Sequence, residues 1–125
     1  MKKIILLLAF SNIAFTQNIK STKDVEKVLD KLHLYAAEAN TKKYIDLFAV
    51  DAVFFGTDIS ERWPKVEFSK YATDRMSSGT GWTDFMKERN IYFSNNDKTA
   101  WFDEVLTNKG YGEFRGTGVL KRVGA

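Results

Sequence analysis

Three segments near the C-terminal end limit the fold of this 125-residue chain more than any other feature. They are "FMKERNIYFS" (85–94), "KTAWFDEVL" (98–106) and "YGEFRGTGVLKRV" (111–123). Their aromatic and β-branched residues suit a pleated, half-buried surface. The connections "NND" and "TNKG" are short and rich in turn formers, so consecutive strands are expected to pair as antiparallel hairpins. A meander of this kind has a face that must be covered, and the upstream sequence supplies helices to cover it.

Val25, Val28, Leu29, Leu32, Ala36 and Ala39 recur at helical spacing through "DVEKVLDKLHLYAAEA", with Ser21 or Thr22 as the expected cap. A second helix is expected from Thr41 to about Phe48, with Tyr44, Leu47 and Phe48 on one side. "DAVFFGT" (51–57) reads as a strand ending at Gly56. Pro64, the only proline, suits the first turn of a helix that carries Phe68, Tyr71, Ala72 and Arg75 on one face. "SSGTG" (77–81) is a loop. Helices first and a meander afterwards give an α+β domain.

The length suits one domain with one modest core. "MKK", then "IILLLAF", then "SNIAFT" has the order of a secretory leader: a positive start, a short apolar run and a small-residue exit. Residues 1–16 are therefore assigned to a leader and 17–125 to a single domain, with Ala14 and Thr16 before a cut at Gln17. The expected destination is a periplasm or the exterior. The apolar run is too short to span a bilayer, so no membrane association is expected after cleavage.

Taking Lys2 and Lys3 from the 19 basic residues leaves 17 against 16 acidic ones, a net charge of +1. No basic footprint for nucleic acid remains. The chain has no cysteine, which excludes disulfides, thiolate metal sites and cysteine nucleophiles.

"FFGTDISERW" (54–63), a following helix, the isolated "GW" (81–82), "AWFDEVL" and "RGTGVL" resemble the SnoaL-like branch of the nuclear transport factor 2-like superfamily, over residues 25 to 122. The resemblance implies a cone-shaped, cystatin-like α+β fold. In it, N-terminal helices pack on the concave face of a curved antiparallel sheet, leaving a pocket at the open end. The superfamily includes isomerases, polyketide cyclases, dehydratases, hydrolases and proteins without catalysis, so the fold does not fix a function. Relatives usually continue after "GVL" into a last strand of the type "W-K-I-x-x-Y", whereas this sequence ends at "KRVGA". The expectation is a C-terminally truncated domain, less stable or compensated by homodimerisation.

His33, the only histidine, falls about 80° from Val25 on a helical projection, on the shoulder of the apolar stripe. With the pocket implied by the resemblance, it is a candidate proton carrier, because imidazole titrates near neutrality. The plainer alternative is a half-buried histidine bonded to a carbonyl. Asp51 reads as a turn residue. Asp58, Glu61 and Arg62 sit in a mouth loop before Trp63, where Glu61 and Arg62 could form a local ion pair and Trp63 a rim.

Strand neighbours point to opposite faces, so only one of Asp103 and Glu104 can look inward. One register of the last hairpin opposes Glu104 to Glu113. A one-residue shift pairs Asp103 with Arg115 and Trp101 with Thr117, avoiding opposed carboxylates. On the second register Trp101, Asp103, Arg115 and Thr117 are expected to face the concavity, with Phe102 and Glu104 outside and Gly116 and Gly118 alongside Phe114 on the opposite face.

His33 and Asp103 are thus the candidate catalytic residues, and Phe54, Trp63, Tyr71, Trp101, Arg115 and Thr117 the candidate ligand-binding set. A carboxylate held by Arg115 is a poor proton acceptor, which favours binding over catalysis. Dinucleotide and phosphate loops and the G-x-S-x-G elbow are missing, and one histidine without cysteine gives no metal-ligand spacing. No cofactor or metal is implied. The leading expectation is an exported pocket domain for a small organic ligand. The alternatives are an acid–base enzyme of isomerase, cyclase or dehydratase type, and a non-catalytic dimerisation module acting through the outer sheet face.

Overall fold

The helical stripe beginning at Val25 belongs to a longer helix, α1 (Lys2–Ala37), in a computed structural model that describes the backbone of residues 2–124 and the side chains of residues 19–124. The leader assigned to residues 1–16 lies outside the residues whose side chains are described. Among the described residues, no helix is long and apolar enough to cross a membrane. Ser21 does not cap a helix, because α1 continues through it; its buried hydroxyl bonds to side chains from elsewhere in the chain. The chain forms two units. One comprises Met1–Lys27, Met86–Leu106 and Glu113–Ala125, and the other Val28–Phe85 and Thr107–Gly112.

In the Val28–Phe85 unit the end of α1 is followed by α2 (Thr41–Asp46), β1 (Val53–Phe55), β2 (Arg62–Pro64) and α3 (Lys65–Met76). Asn40 caps α2 by accepting a hydrogen bond from the Lys43 amide at 3.3 Å. β1 and β2 pair antiparallel, with Val53 opposite Pro64, Phe54 opposite Trp63 and Phe55 opposite Arg62. β2 was not expected from the sequence, which placed these residues in a mouth loop. Pro64 ends β2 and immediately precedes α3, so a strand terminus and a helix start share one residue whose fixed φ suits both. Between the strands the Gly56 amide donates to the Glu61 carbonyl at 2.9 Å. The Asp58 carboxylate accepts from the Ser60 amide at 2.8 Å and from its hydroxyl at 2.5 Å. Those bonds, the hydroxyl first, hold the exposed Asp58 carboxyl below its usual range.

The core of this unit is an aromatic cluster. Ala36, Tyr44, Phe68, Ala72 and Met76 are buried, and Leu32, Phe48, Phe54, Trp63 and Trp82 pack against them. Phe54 stacks on Phe68 at 4.1 Å between centroids, and Tyr44 meets Trp82 edge-on at 5.5 Å. Gly81 makes this possible: a Cβ there would lie 1.7 Å from the Ala36 carbonyl oxygen, so only glycine lets the loop run against α1.

The second unit carries the meander, β3 (Phe85–Phe93), β4 (Thr99–Asn108) and β5 (Gly112–Lys121), in the order β3-β4-β5. The three strands begin and end within about two residues of their expected bounds, and the α+β class holds. The stretch of α1 that belongs to this unit contacts the meander at Ser21 and Glu26. The Arg89 side chain donates to the Glu26 carbonyl at 3.5 Å, and the Ser21 hydroxyl donates to Asp97 Oδ2 at 2.9 Å while accepting from Arg122 Nη2 at 2.9 Å. Ala100, Glu104 and Leu106 are buried on the inner face of β4. Along β5, Phe114, Gly116, Gly118 and Leu120 are half-buried, whereas Glu113, Arg115, Thr117, Val119 and Lys121 are exposed. A Cβ on Gly118 would come within 2.8 Å of the Phe102 ring, so the missing side chain is the space that ring occupies.

Tyr44 carries a testable consequence. Burial, and after it the nearby Asp84 charge, push its phenol well above the ordinary value of 10.0, against the opposing effect of a hydrogen bond from Trp82. A folded-state pKa raised above the unfolded one gives stability that is complete below pH 10 and is lost as pH rises further. Denaturant titrations followed by circular dichroism should show stability falling above pH 10, with a shallower fall in Tyr44→Phe. Equal slopes for the two proteins would contradict this assignment.

Candidate functional site

The meander divides its charged residues between two faces, and the division differs from the expected one. Glu104 is the buried carboxylate, 1% exposed, and Asp103 is the outer one, its side chain 30% exposed. Glu104 Oε2 accepts from Arg89 Nε at 3.1 Å and from Nη2 at 3.0 Å. Arg89 is itself almost fully buried, so the pair is shielded from water. The expectation failed because it sought the inner counter-ion on β5, whereas β3 supplies it. The alternation Arg89, Ile91, Phe93 could have shown this, since those residues share one face of β3.

The parity inferred for the last hairpin is correct even though its direction is reversed. Asp103 and Arg115 do share a face, with Arg115 Nη1 donating to Asp103 Oδ1 at 2.9 Å. Gly116 and Gly118 share the opposite face with Phe114. Trp101, expected to face inward, is 44% exposed and stacks on Tyr92, 48% exposed, at 6.1 Å and 17° between ring planes. Asn90 adds a second donor to Asp103 Oδ1 at 3.2 Å. The exposed Thr117 donates from its hydroxyl to the Phe102 carbonyl at 2.7 Å. The outer face of the sheet therefore presents two stacked rings and an Asn–Asp–Arg set. Tyr92 and Asn90 were not among the expected site residues, although the alternation of β3 places both on the face of Trp101.

The other expected residues belong to the Val28–Phe85 unit. Phe54 lies against Phe68 in the aromatic cluster rather than lining open space. Trp63 stacks on Tyr71 at 5.5 Å, and Tyr71 keeps 46% of its surface exposed. His33 is half-buried on α1 and engaged in an interaction there. In the mouth loop Glu61 accepts from the Asp58 amide at 3.4 Å, while the Arg62 guanidinium lies 6.0 Å from the Phe55 ring centre.

Two of the surface depressions are defined by few residues. One, of about 400 Å³, is lined by Ser69, Lys70, Thr73 and Asp74. The other, of about 320 Å³, lies beside Lys20, Ser21, Asn96, Asp97 and Arg122. Neither contains an expected site residue. The second is the exterior of the clamp in which Arg122 Nε also donates to the Asp97 carbonyl at 3.0 Å.

Comparison with known proteins places this architecture. Residues 25–125 match the family model of the SnoaL-like domain. No protein of curated function matches the chain significantly. Among solved structures, one from Catenulispora acidiphila aligns with a TM-score of 0.62 and 16% identity, over 87% of this chain and 84% of that one. A protein of unknown function with a cystatin-like fold from Nostoc punctiforme aligns with a TM-score of 0.59 and 11% identity, over 82% of this chain and 80% of that one. A helical cell-shape-determining protein from Campylobacter jejuni aligns with a TM-score of 0.54 and 14% identity, over 74% of this chain and 32% of that one. At these identities the likeness concerns the fold alone.

The reversed faces predict opposite responses to substitution. Glu104→Ala leaves a buried guanidinium without its carboxylate and should cost about 3–5 kcal/mol in denaturant unfolding. Asp103→Ala removes an exposed pair and should cost no more than about 1 kcal/mol. Replacing both members of the buried pair, Arg89→Met with Glu104→Leu, should recover most of the loss.

Proposed function

Because the chain belongs to the SnoaL-like domain family, in which fold does not dictate a reaction, we propose that it is a non-catalytic ligand-binding domain working through the outer face of β3–β5. The observation that carries this reading is the stacked, half-exposed Tyr92–Trp101 pair beside Asn90, Asp103 and Arg115. Large exposed rings lose hydration at little entropic cost when a flat partner covers them. The polar row beside them supplies hydrogen bonds and a guanidinium for the rim of such a partner. The ligand class is a small ring-shaped organic molecule with a polar or anionic edge.

Trp101, Arg115 and Thr117 keep their binding role in this proposal, and Tyr92 and Asn90 join them. Phe54, Trp63 and Tyr71 act instead in holding the aromatic cluster of the other unit. Asp103 Oδ1 already accepts from two donors, a geometry suited to fixing Arg115 rather than to taking a proton from a substrate. His33 has no proton-transfer role in this reading.

Benzoate, indole-3-acetate and methyl glucoside cover the charged, aromatic and neutral versions of such a ligand, and thermal stabilisation by each is the readout. At least one should raise the unfolding temperature in a saturable way. Trp101→Ala or Arg115→Ala should weaken that response about tenfold or more, with His33→Ala unchanged. Stabilisation that survives Trp101→Ala but vanishes with His33→Ala would overturn the assignment.

Export is part of the same proposal, supported by the order of "MKK", "IILLLAF" and "SNIAFT". Intact mass of the protein expressed in a secreting bacterium should correspond to a chain starting at Gln17. Recovery of the uncleaved chain alone would remove export from the reading.

A further inference from the structure

One backbone bond fixes the geometry of the outer face of the meander. The Ser94 amide donates to the Thr99 carbonyl at 2.9 Å, which sets Tyr92 opposite Trp101 and Asn90 opposite Asp103. The ring row and the polar row are therefore two residues apart on one face, about 6.5–7 Å along the strands. Rings in full face-to-face contact would sit about 3.5–4.0 Å apart. At 6.1 Å between centres and 17° between planes, Tyr92 and Trp101 are slipped past each other, and each keeps nearly half of its surface in solvent.

The polar row discriminates between charged and neutral ligands. Asp103 Oδ1 accepts from the Arg115 guanidinium at 2.9 Å and from the Asn90 amide at 3.2 Å, and the same amide donates to Glu88 Oε1 at 3.3 Å. An anionic ligand would meet two carboxylates, Asp103 and Glu88, against one guanidinium that Asp103 already engages. A cationic ligand would have to compete with that guanidinium for Asp103. A neutral ligand meets neither obstacle. Asp103 has a second oxygen with which to accept, the Arg115 side chain is 62% exposed and has further N–H groups to donate, and Asn90 has an amide carbonyl. Adjacent hydroxyls, each able to donate and to accept, match an acceptor and a donor placed side by side.

We propose that the ligand of this face is a neutral saccharide, with pyranose C–H groups against Tyr92 and Trp101 and hydroxyls on Asp103, Arg115 and Asn90. This rests on the binding role proposed for the face and narrows it to one chemical class. A pyranose is amphipathic in the same way as the face. Its C–H groups form an apolar patch drawn to the electron-rich face of an indole or phenol, and its hydroxyls surround that patch. The Thr117 hydroxyl already donates to the Phe102 carbonyl at 2.7 Å, so toward a sugar it is an acceptor. Planar aromatic acids would satisfy the rings but bring a charge that Asp103 and Glu88 oppose.

Isothermal titration calorimetry with methyl β-glucoside, cellohexaose, maltohexaose and chitohexaose tests the class, with benzoate as the anionic comparison. At least one saccharide should bind saturably, and raising salt from about 0.05 to about 0.5 M should change its affinity less than about twofold, since a neutral ligand has no charge to screen. Trp101→Ala and Tyr92→Ala should each weaken it about tenfold or more while circular dichroism stays native. Asp103→Asn, which keeps the shape and removes the charge, should weaken the saccharide about tenfold and strengthen benzoate. Benzoate that binds through Trp101 while no saccharide binds would overturn the saccharide and leave the binding role of the face standing. If neither benzoate nor any saccharide binds, both fall. A saccharide whose affinity survives Trp101→Ala and Tyr92→Ala, or Asp103→Asn, undiminished also overturns the proposal.

Discussion

The sheet unit depends on one buried ion pair, Arg89 with Glu104. Strand periodicity would let β4 present either of two adjacent carboxylates to α1, and a shift of one residue exchanges every inward side chain for an outward one. The pair settles this by geometry. Arg89 reaches Glu104 with two nitrogens and the Glu26 carbonyl with a third, tying β3, β4 and α1 together. Inverting β4 would bury Asp103 and Trp101 and strand the arginine. Net stability gained from a buried pair is small, but the penalty for any arrangement that separates it is several kcal/mol.

Gly118 and Ala100 complete that logic on the inner face. The missing side chain of Gly118 is the space the Phe102 ring occupies, and Ala100 is buried on the same strand as that ring. The outer face is free of this constraint and carries bulk instead: Tyr92, Trp101 and Val119, with Asp103 and Arg115 among them. The two faces of one meander thus differ in purpose. One is fitted to a helix, and the other is composed as contact surfaces are, with aromatic rings, arginine and little lysine at the centre.

Much of this was legible in the residues. The stripe from Val25 to Ala36, the helix around Phe68 and Ala72, and the three long strands follow from periodicity and turn composition, which act locally, whereas Ala39, expected in the same helix, lies past its end at a positive φ of 53°. Asp103 with Arg115 was legible because cross-strand parity is arithmetic once a turn is placed. Which face is inward was not, because that depends on α1 and β3, whose contribution is written far from "WFDE". β2 was missed for a related reason. Three residues ending in proline carry no pattern of their own, and Arg62–Pro64 becomes a strand only because Val53–Phe55 is beside it. Ser21 looked like a cap for the same kind of reason, since Asp97 and Arg122, which engage its hydroxyl, lie 76 and 101 residues along the chain.

The placement of the tryptophans equips the molecule with internal optical reporters. Trp63 and Trp82 pack against the aromatic cluster of the Val28–Phe85 unit, in a largely dry and ring-rich surrounding. Trp101 stands on the open face of the sheet unit, partly in water. Indole emission follows local polarity, so the three residues do not report one averaged environment. The blue side of the spectrum belongs to the cluster and the red side to the sheet. Loss of order in either unit therefore has its own colour, without a label being attached.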